Sequence, residues 1–302
     1  MTQILDPLQT ANRLPWADLV AEVALLLKDT SVIVSPRLVQ PLGGGASLFV
    51  MPAIDSRIAI AKLITFTPAN AGTNRPTIQG DVTVFDIATG QRRLVLDGPT
   101  VTARRTAAVS VLAAQRLAHN PQGPLLIVGA GVQGKAHLEA FAAVLGTRHV
   151  MIASRSTPSA KALVQHAKSL GISAELVLDA NAALANCPVA VTCTPANSIV
   201  LGATPRQDAF ISAVGAFTSG MAELGPALCQ HIAKQGTVWL DTADAAHEAG
   251  DLLQAGLSLH AVATLGDVVR QNTAKPGGPV LFKSCGWAGW DLAAARLALR
   301  WA

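Results

Sequence analysis

The chain has 302 residues, 50% hydrophobic and 14% charged, with a formal net charge of +4. That balance supports two domains with large cores and excludes a disordered chain. The basic residues are scattered, with Arg92-Arg93 and Arg104-Arg105 as the only doublets; nucleic acid is not an expected partner, and no apolar run approaches the ~18–20 residues of a membrane span. In chain order, Pro15 opens a predicted helix whose Leu19, Val23, Leu26 and Leu27 share one face, and Asp29-Thr30 ends it. Short predicted strands follow, Pro36-Arg37-Leu38-Val39 and Leu48-Phe49-Val50-Met51, split by Gly43-Gly44-Gly45. Residues 58–66 read as a strong strand, and 79–86 with 92–97 as a hairpin around Ala88-Thr89-Gly90-Gln91. A long Ala-rich helix is predicted from Thr102 to Ala118, where Asn120-Pro121 stops it.

From residue 124 the rhythm becomes strand, helix, strand, helix. Strands are predicted at 125–128, 149–153, 174–178, 189–193, 210–214, 237–240 and 260–263, with the clearest helix at 158–170. Such alternation implies a doubly wound parallel sheet. Trp287 to Trp301 reads as a last Ala/Leu-rich helix that returns to the first domain. The fold class expected is α/β: a Rossmann-type doubly wound sheet plus an α+β domain. The expected boundaries are 1–113, joined by a C-terminal helix 281–302, and 114–280 for the Rossmann part.

The most informative stretch is Gly129-Ala130-Gly131-Val132-Gln133-Gly134, which follows the apolar run Leu125-Leu126-Ile127-Val128 and opens a helix. In that context Gly129 permits the turn, Gly131 admits a pyrophosphate and Gly134 lets helix and strand pack closely. About 20 residues on, an NAD-binding chain places a carboxylate for the ribose 2′-OH. Here Ser154-Arg155-Ser156 stands instead. A guanidinium flanked by hydroxyls suits a 2′-phosphate, which favours NADP(H).

Lys62 falls on the face of Ile58, Ile60 and Ile64, so it either snorkels to an edge or serves a site. Arg105 is expected half-embedded at a helix start, as an anion ligand or an interdomain ion pair. The acidic run Asp241, Asp244, Glu248, Asp251 is expected to cap helices and face water, and the histidines are expected to be structural. Cys187, Cys193, Cys229 and Cys285 lack metal or disulfide spacing, so no metal is expected. The chain contains no tyrosine, which excludes a tyrosine proton donor. Met1 to Pro7 lacks the features of a signal peptide, and a cytoplasmic protein is expected.

The chain resembles the ornithine cyclodeaminase/mu-crystallin family over most of its length. The resemblance rests on Ser35-Pro36-Arg37, Ile60-Ala61-Lys62-Leu63, Pro76-Thr77-Ile78-Gln79-Gly80, Thr102-Ala103-Arg104-Arg105-Thr106-Ala107-Ala108, the glycine motif, Ala213-Val214-Gly215-Ala216 with Glu223-Leu224, Leu265-Gly266-Asp267-Val268, and Phe282-Lys283-Ser284-Cys285-Gly286-Trp287-Ala288 with Asp291-Leu292-Ala293. It implies a homodimer built on the α+β domain. Arg37, Lys62 and Arg105 would surround a substrate carboxylate, with Thr77 and Phe217 lining the substrate and Lys62 managing a proton. Implied cofactor contacts are Gln79, Thr106, Gly129, Gly131, Val132, Gln133, Gly134, Ser154, Arg155, Ser156 and Thr194. The family's cyclodeaminases carry an aspartate two positions after the Gly of the Val-Gly segment; here that position is Phe217. Phenylalanine transfers no proton and offers an apolar wall for a small ring. The departure points to the ketimine reductase branch, which reduces Δ1-pyrroline-2-carboxylate or Δ1-piperideine-2-carboxylate and so belongs to proline metabolism. Ornithine cyclodeaminase, a non-catalytic NADPH-dependent binding protein and an alanine or opine-type dehydrogenase are the alternatives.

Overall fold

The computed structural model describes residues 2–195 and 198–301. The chain forms two compact units, Met1–Arg105 with Trp287–Ala302, and Thr106–Gly286. The divisions fall inside the helix Gly98–Leu117 and after Gly286, not at 113 and 281. That helix starts four residues earlier than expected. Asp97 accepts the Thr100 N–H at 2.8 Å as its N-cap, and Pro99 is tolerated in the first turn.

Unit 1 is built on a seven-stranded sheet of β1 (Gln3–Ile4), β2 (Ile33–Val34), β3 (Leu38–Gly43), β4 (Ala46–Ile54), β5 (Ile58–Phe66), β6 (Ile78–Asp86) and β7 (Arg92–Asp97), in the order β1-β7-β6-β5-β4-β2 with β3 also on β4. Among the described residues of this sheet only β1 and β7 pair in parallel. Gly43, Gly44 and Gly45 all take positive φ and close the β3–β4 hairpin. Along β5 the period-two pattern holds: Ile58, Ile60, Lys62 and Ile64 are buried, whereas Leu63 is 50% exposed. Over β4 and β5 lies the helix Ala288–Leu299, which also packs on the helix Trp16–Leu26. Arg296 ties it down by donating to Asp55 and Asp29, both at 2.6 Å.

Unit 2 contains the parallel sheet. Its strands are β8 (Leu125–Val128), β9 (His149–Ala153), β10 (Ser173–Leu176), β11 (Val189–Thr192), β12 (Phe210–Ala213), β13 (Thr237–Leu240) and β14 (Val280–Lys283), in the order β10-β9-β8-β11-β12-β14-β13. β8, β11, β12 and β14 are buried at every position, as strands covered on both faces must be. The strand expected at 260–263 does not form; His260 and Ala261 are an exposed turn. The seventh strand is Val280–Lys283, placed between β12 and β13, so residues 281–283 do not belong to the terminal helix. Short apolar runs do not reveal which of two candidates pairs; the run behind Pro279 carries the larger side chains.

His137 is buried in unit 2. Its Nδ1 lies 2.8 Å from the Gln133 carbonyl and its Nε2 2.9 Å from Ser110 Oγ, which in turn accepts from Ser212 Oγ at 2.9 Å. A carbonyl only accepts, so Nδ1 carries the proton. Burial pushes the imidazole pKa down to about 4 and keeps it neutral. Among the described residues, no helix is long and apolar enough to cross a membrane.

Candidate active site

Unit 1 gathers charge beneath its sheet. Lys62 is fully buried, and its Nζ donates to Asp291 Oδ1 at 2.9 Å. Arg105 Nε donates to the same oxygen at 3.3 Å. Arg105 lies well inside its helix and is buried, so the expected helix-start position is not realised. An anion contact by Arg105 would be made by the guanidinium, not by the helix end. Arg105 uses only Nε on Asp291 among the described residues, which leaves the paired terminal amino groups for a bidentate partner. Burial pushes the Lys62 pKa down to about 8; Asp291 opposes that shift, and Arg105 and Arg37 add to it. Arg37, half-buried just before β3, therefore belongs to the same electrostatic cluster.

Among the described residues no hydrogen bond or ion pair joins Thr77 or Gln79 to this cluster. The half-buried Thr77 uses its carbonyl to accept Thr67 N–H at 2.7 Å. Gln79 pairs with Thr65, on the sheet face opposite Lys62. Arg104, the other half of its doublet, stacks on Trp16 with 3.8 Å to the ring centroid.

Unit 2 carries the glycine turn. Gly129 takes φ +116°, and a Cβ there would fall 2.8 Å from the Cys193 carbonyl oxygen. At Gly134 a Cβ would fall 2.0 Å from the Gly129 oxygen, so helix and turn touch through glycine. A Cβ on Gly131 would meet nothing within 4 Å. The protein itself has no packing need for glycine there, and the open space lies at the N-cap of the helix Val132–Ala140. That is where a diphosphate fits, against outward N–H groups. Val132 is 71% exposed on the first turn and Gln133 half-buried.

After β9, Ser154 Oγ accepts Ser156 N–H at 3.2 Å, and Ser156 caps the helix Thr157–Ser169. Arg155 is exposed. Thr106 is buried, and Phe217 is half-buried and packs on the core of unit 2. Thr194 donates through N–H and Oγ1 to Glu223 at 2.6 and 2.8 Å.

Sequence reasoning assigned no role to Asp291, Glu223 or Lys283. Its acidic run was expected to face water, but Asp241 and Asp251 are buried. Asp241 Oδ2 accepts Ser284 Oγ and the N–H groups of Cys285 and Gly286. Asp251 pairs with Lys283 at 2.6 Å. The available signal was a charge inside an apolar segment: Asp291 on the Ala/Leu-rich helix and Lys283 ending Val280-Leu281-Phe282, the same oddity that marked Lys62.

The model of the ornithine cyclodeaminase/mu-crystallin family matches residues 21–299. The chain is 39% identical to Delta(1)-pyrroline-2-carboxylate reductase 1 of Burkholderia multivorans, with 98% of this chain and 95% of the relative covered. It is 38% identical to the Delta(1)-pyrroline-2-carboxylate/Delta(1)-piperideine-2-carboxylate reductase of Azospirillum brasilense, over 98% and 94%. The fold matches that of Thermococcus litoralis Delta(1)-pyrroline-2-carboxylate reductase, solved with NADH and L-proline, at a TM-score of 0.90 and 22% identity, over 98% and 96%. With the family match running through the charged cluster, the glycine turn and the terminal helix, the chain belongs to the ornithine cyclodeaminase/mu-crystallin family.

Proposed function

We propose that the protein reduces a cyclic 2-carboxy imine, Δ1-pyrroline-2-carboxylate or Δ1-piperideine-2-carboxylate, to L-proline or L-pipecolate with NADPH as reductant. The observation that carries this reading is the charge balance around Lys62, where two guanidinium groups and one carboxylate act on a buried ammonium. Lys62 and Arg105 share one carboxylate oxygen, Asp291 Oδ1; the positive charge left over on that pair suits one more carboxylate, and a 2-carboxy imine brings one. The names of the relatives at 38–39% identity support the same chemistry.

Reducing C=N requires a hydride on carbon and a proton on nitrogen. A bound reduced nicotinamide supplies the hydride. Lys62 supplies the proton, from Nζ directly or through a water. With a pKa of about 8 it is charged at pH 7 and still a stronger acid than an ordinary lysine. Arg105 and Arg37 hold the carboxylate, and Asp291 keeps Lys62 and Arg105 together. Unit 1 is thus the substrate unit and unit 2 the dinucleotide unit.

Turnover with both cyclic imines, with pyruvate plus ammonia and with L-ornithine tests the reading. Imine reduction is expected. Proline and ammonia released from L-ornithine at an ordinary enzymatic rate would overturn it, because Phe217 holds no proton and losing a general base costs about 10²–10⁴-fold.

NADPH is the proposed reductant because Arg155 stands exposed at the end of β9 where no carboxylate lies. A charge-assisted hydrogen bond of this kind is worth about 1.5–3 kcal/mol, so Arg155→Asp should weaken NADPH by roughly tenfold or more and spare NADH. Equal kcat/KM for the two cofactors in the unaltered protein refutes the preference.

A cytoplasmic homodimer completes the proposal. Leu38, Val50 and Leu63 form one cross-strand row on β3, β4 and β5. Leu38 and Leu63 are at least half exposed, an apolar face suited to a second copy. Light scattering that reports a monomer at micromolar concentration removes the dimer.

A further inference from the structure

Unit 2 contains a buried charged ring that the reduction itself does not use. Glu223 is fully buried. Its Oε1 accepts the Thr194 N–H and Oγ1 at 2.6 and 2.8 Å. Its Oε2 accepts Gly215 N–H at 2.7 Å, Ala216 N–H at 3.2 Å and Thr192 Oγ1 at 3.1 Å. Asp251 Oδ1 accepts the N–H groups of Glu223 and Leu224 at 2.5 and 2.8 Å. Lys283 Nζ lies 2.6 Å from Asp251 Oδ2 and donates to the Ala216 carbonyl at 2.6 Å. Ala216 is therefore held from both sides, at its N–H by Glu223 and at its carbonyl by Lys283.

Two carboxylates and one ammonium are costly to bury, and an apolar core of equal volume is often as stable. The arrangement is instead organised around one place. Thr194, Gly215 with Ala216, and Lys283 all stand at the carboxyl ends of β11, β12 and β14. Ligands of open parallel sheets bind at that edge. The glycine turn approaches the Cys193 carbonyl, one residue before Thr194. A Cβ on Gly215 would fall 2.5 Å from Glu223 Oε1 and 2.1 Å from the Thr194 oxygen, so glycine is required for the carboxylate to come this close.

We propose that Glu223, held by Asp251 and Lys283, is a positioning residue that fixes Thr194 and the Gly215–Ala216 peptides as the seat for the nicotinamide end of the dinucleotide. The proposal rests on the nicotinamide reading above. It deepens that reading by dividing cofactor recognition in two: the glycine turn and Arg155 take the phosphates, and the Glu223 ring takes the far end.

The test is a binding titration on the unaltered protein, on Glu223→Gln and on Thr194→Val. NADPH is compared with 2′-phospho-ADP-ribose, and NADH with ADP-ribose; each fragment lacks the nicotinamide ring. Gln keeps the volume but offers one acceptor oxygen where Glu offers two. Glu223→Gln is expected to weaken both dinucleotides by roughly tenfold or more, the effect of hydrogen bonds to a charged group, and to leave both fragments within about twofold. Thr194→Val removes a single hydroxyl donor and should shift the dinucleotides in the same direction by less; it carries the test if Glu223→Gln does not fold. Parallel weakening of dinucleotide and fragment together with a lower thermal midpoint means the ring only holds the fold, and overturns the proposal. Unchanged affinity for all four ligands overturns it too. An unaltered protein that binds none of the four overturns the cofactor reading and this proposal with it.

Discussion

Lys62→Met is expected to yield a folded protein that turns over poorly. Removing the proposed proton donor should lower kcat by about 10²–10⁴-fold. Losing a charged contact to the substrate should raise KM by roughly tenfold or more. Stability should move the other way. Lys62 titrates at about 8 in the folded chain against an ordinary 10.5, so between those values the unfolded chain binds more protons. The burial penalty is therefore present at neutral pH and relieved as pH rises from about 8 toward 10.5. It is worth about 3 kcal/mol. Met removes the penalty and leaves Asp291 paired with Arg105 alone. A variant equal or superior to the parent in urea, yet nearly inactive, marks Lys62 as functional. The parent's kcat/KM should fall above about pH 8, where Lys62 loses its proton. Normal kinetics in a well-folded Lys62→Met removes Lys62 from the mechanism.

Asp291→Leu should do the opposite and cost stability heavily. It leaves Lys62 and Arg105 buried without the oxygen they share. Lysine can shed its proton but arginine cannot, so a loss of about 3–5 kcal/mol is expected. Asp291→Asn keeps the volume and removes only the charge. An opposing charge at this range moves a pKa by about 1–3 units, so the basic limb of the rate profile should slide down from 8 by that much. A limb that stays in place in Asp291→Asn means that the limb does not belong to Lys62. Stability unaffected by Asp291→Leu means that the ion cluster does not hold the terminal helix.

These two residues show how legibility divided. Lys62 was readable because alternation along β5 is a local rule and one cation broke it. Asp291 was not, because its partner lies 229 residues away and no local pattern reports such a pairing. The glycine turn was legible for the same reason as Lys62: strand, turn and helix are adjacent in sequence. Strand Val280–Lys283 was misplaced because its neighbours β12 and β13 are set by tertiary pairing, while 260–263 offered an equally short apolar run. The Glu223 ring joins residues from 192 to 283, and Glu223 and Asp251 read in isolation as ordinary polar positions.

The return of the helix Ala288–Leu299 to unit 1 also sets an order of events during synthesis. Unit 2 is one continuous stretch and can close as it emerges. Unit 1 must wait for its last helix, roughly 180 residues behind Arg105, which at about 5–20 residues per second is roughly 10–40 s on the ribosome. Through that interval Lys62 and Arg105 lack Asp291, and the β4–β5 face lacks its cover. Ribosome-stalled chains that end before Trp287 should therefore protect unit 2 from protease and leave unit 1 open to it. Of the two units, the one that holds the proposed carboxylate site would then close second.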